Sequence, residues 1–212
     1  MAYWQVPRDW AGQTAFLLCG GPSALGQPLE RLKGRNVVAV NRAWERVPFV
    51  QYLLWNDLKF WENFQAEIRK GFVGQVVQTL PELEVKGCLH LKRKKPPGLG
   101  AAPDMVVART TVTSTGLNLL CHLGVARIVV LGLDLTADAA GRTHHYAPRY
   151  WPATGRTGAY YDGCKPERWP VQYEELKGLA ADIAGLGVEV VNCSPESLAD
   201  FWPRGRIEDY LR

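Results

Sequence analysis

A short glycine-rich stretch directly follows the first apolar run of the chain. The run Thr14–Cys19 ends in Gly20, Gly21, Pro22 and Ser23. Glycine lets backbone N–H groups approach an anion closely, and a helix that starts at Ser23 would point its positive end toward the same place. The stretch therefore predicts a phosphate contact, with a plain tight turn as the alternative. It matches neither the Walker A pattern nor GxGxxG, which argues against ATPases and standard NAD enzymes.

Side-chain amides follow the next two apolar runs. Asn41 comes directly after Asn36–Val40, and Asn56 with Asp57 comes after Gln51–Trp55. Amides at strand ends can hydrogen-bond a base or a ribose, although Asn and Asp also favour ordinary turns. We therefore expect these three residues either beside a nucleotide or in turns.

A hydroxyl-rich stretch precedes a predicted apolar helix further along the chain. It consists of Thr113, Ser114, Thr115 and Gly116. Hydroxyl and backbone N–H groups at the start of a helix offer a second anion site, and an ordinary N-cap is the alternative.

The segment after the strongest apolar run carries candidates for proton transfer. Arg127–Leu133 leads into Asp134, and the loop that follows holds His144 and His145. Aspartate and histidine at such positions can act as general acid or base. Adjacent histidines on a loop point in different directions, so we expect one of them to transfer a proton or contact a phosphate rather than both to hold a metal. A solvated loop is the alternative.

These candidates follow apolar runs that alternate with amphipathic ones. The predicted strands are Thr14–Cys19, Asn36–Val40, Gln51–Trp55, Gln75–Thr79, Cys88–Leu91, Arg127–Leu133 and Val188–Val191, and the predicted helices cover about 57–69, Ser114–Leu123, Val171–Leu186 and Pro195–Phe201. This alternation indicates an α/β fold, with a Rossmann-like, mostly parallel sheet and helices on both faces. We expect a single domain over residues 1–212. In such sheets ligands bind at the carboxyl ends of the strands, near the switch in strand order.

Two segments lack a clear periodic pattern. Lys92–Asp104 begins with a run of four cations, Lys92 to Lys95, and continues with Pro and Gly. A solvated surface turn is the usual meaning of such a run. The alternatives are closure on a diphosphate and contact with nucleic acid or an anionic partner. Residues 135–170 form a long stretch rich in Gly, His, Tyr and Pro, which predicts a lid-like loop.

Composition restricts the class of protein and its ligands. The net charge of +4 over 212 residues is small, so it suits an anionic small ligand and does not indicate nucleic acid binding. Five cysteines without a CxxC pair argue against a zinc site or a disulfide framework. The sequence has no apolar run of about 18 residues and no signal-peptide pattern at its start, which predicts a cytoplasmic protein.

The motifs, taken in order, resemble those of a known group of proteins. GGPS, VN, ND, TSTG, GLD and a C-terminal V-x-C-S-P-x-S-L are similar to motifs of the bacterial sialyltransferases of glycosyltransferase family 42. They also resemble the wider group around the motility accessory factors and the archaeal 6-hydroxymethyl-dihydropterin pyrophosphokinases. Small phage and prophage proteins of that group are most similar to this chain. The resemblance extends from about Thr14 to Phe201.

The resemblance implies a site for the nucleotide of a CMP-sugar donor. The positions that match donor-binding motifs are Gly20, Gly21, Pro22, Ser23, Asn41, Asn56, and Ser114 or Thr115 with Gly116. Tyrosines beyond the GLD motif hold the donor phosphate in that family, and the candidates here are Tyr146, Tyr150, Tyr160 and Tyr161. Arg109 stands near the place of a family arginine, at a different spacing. The chain departs from the family in residues 158–170, which lack the catalytic histidine of the lid and leave His144 and His145 as candidates.

Three functions follow as hypotheses. The first is a transferase that uses a nucleotide-sugar donor of the CMP-sugar type without a metal, in which His144 or His145 assists proton transfer and Asp134 orients the loop or acts as base. The second is an ATP- and Mg²⁺-dependent pyrophosphokinase, with Asp57, Asp134 or Asp138 as metal ligands. The third is a non-catalytic phage accessory protein that retains the fold. Relatives among the sialyltransferases form homo-oligomers, which makes a homo-oligomer an expectation here, whereas the acceptor is not indicated.

Overall fold

Parallel strands form the centre of the fold. A computed structural model describes residues 2–81, 83–108, 110–151, 160–161 and 165–211. The strands are β1 (Thr14–Leu18), β2 (Asn36–Val40), β3 (Tyr52–Trp55), β4 (Gln75–Gln78), β5 (Cys88–His90), β6 (Lys92–Lys94), β7 (Met105–Val107), β8 (Arg127–Leu131), β9 (Tyr150–Trp151), β10 (Tyr160–Tyr161) and β11 (Glu189–Asn192). Seven of them make one sheet in the order β11-β8-β1-β2-β3-β4-β5, and every neighbouring pair in it is parallel.

Helices cover both faces of this sheet. The α-helices are α1 (Leu58–Gly71), α2 (Val112–His122) and α3 (Trp169–Gly185), and short 3-10 helices cover Pro22–Gly26, Leu29–Leu32, Asn41–Arg46, Pro166–Arg168 and Ile207–Tyr210. Successive residues of a strand point to opposite faces. Leu17 accordingly packs with α2 and α3 in one apolar core, and Phe16 packs with α1 in a second. The predicted α/β fold with helices on both faces is confirmed.

The strand order switches next to β1. The chain runs outward from β1 through β5 and then returns to β8, which pairs with β1 on its other side. Leu17 of β1 stands beside Val38 of β2 and Val130 of β8 in this register. The segments that leave the carboxyl ends of β1 and β8 therefore enclose a crevice, which is where open α/β sheets bind ligands.

The helix predicted over Ser114–Leu123 begins earlier than expected. Helix α2 starts at Val112, because the hydroxyl of Thr111 accepts a hydrogen bond from the Thr113 amide and caps the helix. The hydroxyl-rich stretch Thr113–Gly116 is consequently the first part of the helix and does not precede it.

The run Lys92–Lys95 is largely exposed, as predicted, but most of it is a strand and not a turn. Lys92–Lys94 is strand β6, which pairs in parallel with β7. Buried Val106 and Val107 anchor β7 in the core, and the ammonium of Lys92 forms an ion pair of 2.8 Å with Asp104. Local composition did not reveal this strand because its stability comes from β7, which is distant in sequence.

The short helix predicted at Pro195–Phe201 is not formed. The side chains of Asn192 and Ser197 bind the backbone here instead. The side-chain carbonyl of Asn192 accepts from the Ser194 amide, and the Ser197 hydroxyl accepts from the Ala199 amide, each at 3.0 Å. Such local side-chain bonds compete with helix formation. The last helical turn lies further on, at Ile207–Tyr210.

The segment 135–170 is less irregular than its composition predicts. It contains β9 and β10, which pair antiparallel, and it reaches α3, which begins at Trp169. The prediction of a lid over the site remains a prediction, and residues 152–159 and 162–164 lie outside the described residues. Among the helices that the structure describes, none combines the length and apolar character needed to cross a bilayer. Cys19, Cys121 and Cys193 are buried and have free thiols.

Candidate functional site

A cavity of about 540 Å³ opens at the carboxyl ends of β1, β2, β3 and β8. Its volume is within the range of small-molecule sites. Eight of the residues predicted from the sequence line it, namely Gly20, Gly21, Asn41, Asp57, Thr113, Asp134, His144 and Tyr146. Seven further predicted residues do not line it, namely Pro22, Ser23, Asn56, Ser114, Thr115, Gly116 and His145. The structure thus brings eight of these fifteen residues together around one cavity.

The glycine-rich stretch packs against the segment after β8. The amide of Gly21 donates to the carbonyl of Gly132 at 2.8 Å, and the amide of Ser23 donates to the carboxylate of Asp134 at 3.0 Å. A carboxylate of the protein therefore stands where the sequence predicts a phosphate. Gly20 is closer to the cavity, since a Cβ there would lie 3.1 Å from the ring of His144.

Asp134 is held from a second side by the segment after β11. The amide of Leu133 donates to the hydroxyl of Ser194 at 2.9 Å, and the amide of Leu198 donates to the carbonyl of Asp134 at 2.8 Å. Both contacts come from the C-terminal V-x-C-S-P-x-S-L motif, residues 191–198. Burial raises the pKa of the Asp134 carboxyl above its ordinary value, against the lowering effect of hydrogen bonds from Ser23.

The raised pKa of Asp134 leads to a prediction about stability and pH. The folded protein holds this proton more tightly than the unfolded chain, so stability falls as pH rises from the unfolded pKa of about 3.9 through the folded value. Asparagine does not ionise, so we expect the stability of Asp134→Asn relative to the wild type to increase from about pH 4 to pH 7. Urea unfolding at the two pH values measures this difference. The exposed Asp182→Asn variant is the control, and a relative stability that decreased with pH would contradict the assignment.

Asn56 links three elements below the cavity. Its amide nitrogen donates to the hydroxyl of Thr115 at 2.8 Å, and its carbonyl accepts from the hydroxyl of Thr79 at 2.7 Å. The Asn56 amide therefore connects the end of β3 to α2 and to the end of β4. Both of its polar atoms are bound to protein groups in this structure, whereas neighbouring Asp57 caps α1 and lines the cavity.

Ser114 faces the interior and binds a carboxylate. Its hydroxyl donates to Glu175 of α3 at 2.6 Å. The other carboxylate oxygen of Glu175 accepts from the amide of Thr110 at 2.9 Å and from the hydroxyl of the same residue. The predicted anion site at the start of α2 thus holds the Glu175 side chain. This places α3 against the Thr110–Thr113 wall of the cavity.

The two histidines have different environments. His144 lines the cavity and stacks on the ring of Tyr146, with ring centroids 4.7 Å apart. His145 is buried, and its amide donates to the carbonyl of Gly20 at 3.0 Å. Burial, followed by the nearby charges of Arg46 and His144, lowers the pKa of His145 to about 4. His145 is buried and does not line the cavity, so His144 is the histidine placed to meet a ligand.

Three cationic residues that the sequence motifs did not include also line the cavity. They are Lys59 at the start of α1, and Lys165 and Arg168 directly before α3. Trp169 and Gln172 of α3 contribute to the same wall. These three cations share the lining with two carboxylates, those of Asp57 and Asp134. Lys165 does not follow a strand of the seven-stranded sheet, and the docking of α3 brings it to the cavity. The pattern of apolar residues in the sequence therefore does not indicate its place in the site.

Among the described residues, the predicted ligands Asp57, Asp134 and Asp138 do not form a cluster that could hold Mg²⁺. The described residues contain no group of three or more His, Cys, Asp or Glu side chains that could hold a metal ion. Asp138 forms an ion pair of 2.6 Å with Arg142. Arg109 and the side chains of Tyr160 and Tyr161 lie outside the described residues, so their predicted roles remain predictions.

Comparison with known proteins identifies relatives of the fold. No protein-family model matches the chain, and no curated protein sequence shows a significant match. The chain is similar to the structure of MAf glycosyltransferase from Magnetospirillum magneticum AMB-1, with a TM-score of 0.61 and 15% sequence identity. The match covers 96% of this chain and 35% of that one, so the chain spans about a third of that protein.

A second solved structure with a similar fold is the sialyltransferase CstII from Campylobacter jejuni. It was solved in complex with a substrate analogue, cytidine-5'-monophosphate. The TM-score is 0.51 at 11% identity, and the match covers 92% of this chain and 85% of CstII. At these identities the two comparisons establish a shared Rossmann-like α/β fold.

Proposed function

We propose that the protein is a glycosyltransferase that uses a nucleotide-sugar donor of the CMP-sugar type and needs no metal ion. The observation that carries the proposal is the cation-lined cavity at the switch point of the sheet, with Lys59, Lys165 and Arg168 in its wall. Its fold is shared with CstII, whose structure contains cytidine-5'-monophosphate. The chemistry of the cavity, more than the fold, supports this activity.

The cations in the wall of the cavity suit a phosphate. A nucleoside monophosphate leaves a glycosidic bond as an anion, and fixed positive charge near the leaving oxygen stabilises the transition state. Lys165 and Arg168 would contact the phosphate, and Tyr146 would donate a hydrogen bond to it. In this role the side chains supply the charge that a divalent cation provides in metal-dependent transferases.

His144 is the residue that we assign to proton transfer. The bond between the anomeric carbon and the phosphate oxygen breaks, and the oxygen of the acceptor hydroxyl forms the new bond to that carbon. His144 takes the acceptor proton, while the electron pair of the broken bond leaves on the phosphate. Asp134 is assigned a supporting role, because its contacts to Ser23 and Leu198 hold the segments that follow β1, β8 and β11 together.

Loss of the His144 side chain tests this assignment. We expect His144→Ala to lower the rate of CMP release from CMP-sialic acid about 100-fold or more, which is the usual contribution of a general base. Binding of CMP should remain close to that of the wild type. His122→Gln is a matched control. His122 is the last residue of α2, at the end opposite the cavity, and its ring hydrogen-bonds the carbonyl of Met105.

The assay is run in EDTA and repeated with Mg²⁺, with ATP as a second donor. Turnover of the CMP-sugar in EDTA supports the proposed function. Turnover of ATP alone, and only with Mg²⁺, would replace it with a pyrophosphokinase. Binding of nucleotide without turnover of any donor would favour an accessory protein that retains the fold.

A further inference from the structure

We propose that Arg42 is a positioning residue that holds the edge of the cavity formed by His144 and Tyr146. The inference rests on the proposed function for its catalytic consequence, although its structural part can be measured without any nucleotide. Arg42 follows Asn41, which lines the cavity at the end of β2. No motif discussed above includes Arg42.

Arg42 is a buried cation whose charge is matched within its own turn. The residue is only 4% exposed, and its guanidinium binds both carboxylate oxygens of Glu45, at 2.6 and 3.1 Å. Burying an arginine is expensive unless the charge is paired and hydrogen-bonded. Glu45 meets this requirement and leaves another guanidinium nitrogen to donate elsewhere.

That nitrogen reaches a loop that is distant in sequence. Nη1 of Arg42 donates to the carbonyl of Ala147 at 2.9 Å, across 105 positions of the chain. The guanidinium also lies over the ring of Tyr146, 4.2 Å from its centroid. Tyr146 stacks on His144, and both rings lie next to Gly20. A continuous set of contacts therefore runs from the end of β2 through Arg42 to the proposed base.

The arrangement requires the shape of arginine as well as its charge. A planar guanidinium can bind a carboxylate with two N–H groups, donate to a carbonyl and stack on an aromatic ring at once. Lysine is a compact charge and cannot reproduce this combination. The loop has other attachments, including the His145 amide on Gly20 and an ion pair of 2.7 Å between Arg149 and Glu67. Loss of Arg42 should therefore displace the edge of the cavity without releasing the whole loop.

The test compares Arg42→Lys and Arg42→Met with Arg46→Met. Arg46 is an exposed cation in the same 3-10 helix, so its replacement removes equal charge from the same turn. Hydrogen exchange of residues 143–149 is measured in nucleotide-free protein. We expect exchange of the His145 and neighbouring amides to accelerate about tenfold or more in both Arg42 variants, and to stay at the wild-type rate in Arg46→Met. If Arg42→Met does not fold, Arg42→Lys alone supplies the comparison.

The kinetic measurement separates positioning from a purely structural role. With the CMP-sugar as donor, we expect kcat to fall about tenfold or more in Arg42→Lys while KM changes about threefold or less. Wild-type exchange in both Arg42 variants would overturn the proposal, as would faster exchange with unchanged kcat and KM. If the wild type turns over no donor, the proposed function fails separately, and the exchange rates alone decide whether Arg42 holds this edge.

Discussion

Replacing Gly21 with alanine should destabilise the protein by about 3 kcal/mol, near the upper end for overpacking in a rigid site. A Cβ at this position would lie 2.0 Å from a carboxylate oxygen of Asp134 and 2.5 Å from the carbonyl oxygen of Gly132. The carbonyl belongs to the backbone, and the carboxylate is held by Ser23, so neither can move aside cheaply. We expect nucleotide binding to be lost as well, because the segments after β1 and β8, which line the cavity, must shift.

Gly26→Ala is the matched control for this substitution. Gly26 belongs to the 3-10 helix that follows Gly21, and a Cβ there would meet no atom within 4 Å. Urea unfolding gives the free energy of unfolding for both variants. A Gly21→Ala variant within about 0.5 kcal/mol of the wild type would contradict the close packing between the segments that follow β1 and β8.

Removing Lys165 and Arg168 together should weaken CMP binding roughly 10- to 100-fold, as expected for the loss of two charge-assisted contacts to a phosphate. Both side chains are exposed at the rim of the cavity, so Lys165→Ala with Arg168→Ala should leave the unfolding transition almost unchanged. Calorimetric titration measures the affinity. The loss should diminish at high salt, because exposed charges are screened there.

The control for the double variant removes the same two residue types elsewhere. Arg31 and Lys33 are exposed between Pro22–Gly26 and β2, toward the amino end of the sheet. Arg31→Ala with Lys33→Ala changes the net charge equally, so it should retain CMP affinity. Equal losses in both double variants would show that only overall charge matters, and would remove Lys165 and Arg168 from the site.

The sequence predicts the fold and the position of the cavity at the strand ends, because both depend on local patterns. Gly21 and Asp134 each follow an apolar run, and the parallel sheet brings the ends of those runs together. Their hydrogen-bonding roles were less predictable. The stretch from Gly20 to Ser23 is predicted to contact a phosphate, but the Ser23 amide binds Asp134, which lies 111 positions away. Spacing along the chain contains no information about such a partner.

The remaining differences arise from tertiary packing. Ser114 lies in the first turn of α2, and the anion that its hydroxyl binds is the Glu175 carboxylate of α3 rather than a phosphate. Lys165 and Arg168 stand at the end of a long irregular segment, and the docking of α3 determines that they reach the cavity. The packing of one helix on another positions these side chains, and such packing produces no pattern in the sequence that would indicate their place.

Calorimetric titration of the wild-type protein with CMP in the presence of EDTA decides whether the cavity binds a nucleotide without a metal ion. We expect one site per chain with a dissociation constant below about 1 mM, as is usual for enzyme substrates. We also expect Lys165→Ala with Arg168→Ala to weaken that binding, whereas Arg31→Ala with Lys33→Ala does not. The absence of CMP binding to the wild type, or binding that appears only after Mg²⁺ is added, would contradict a metal-independent nucleotide site in this cavity.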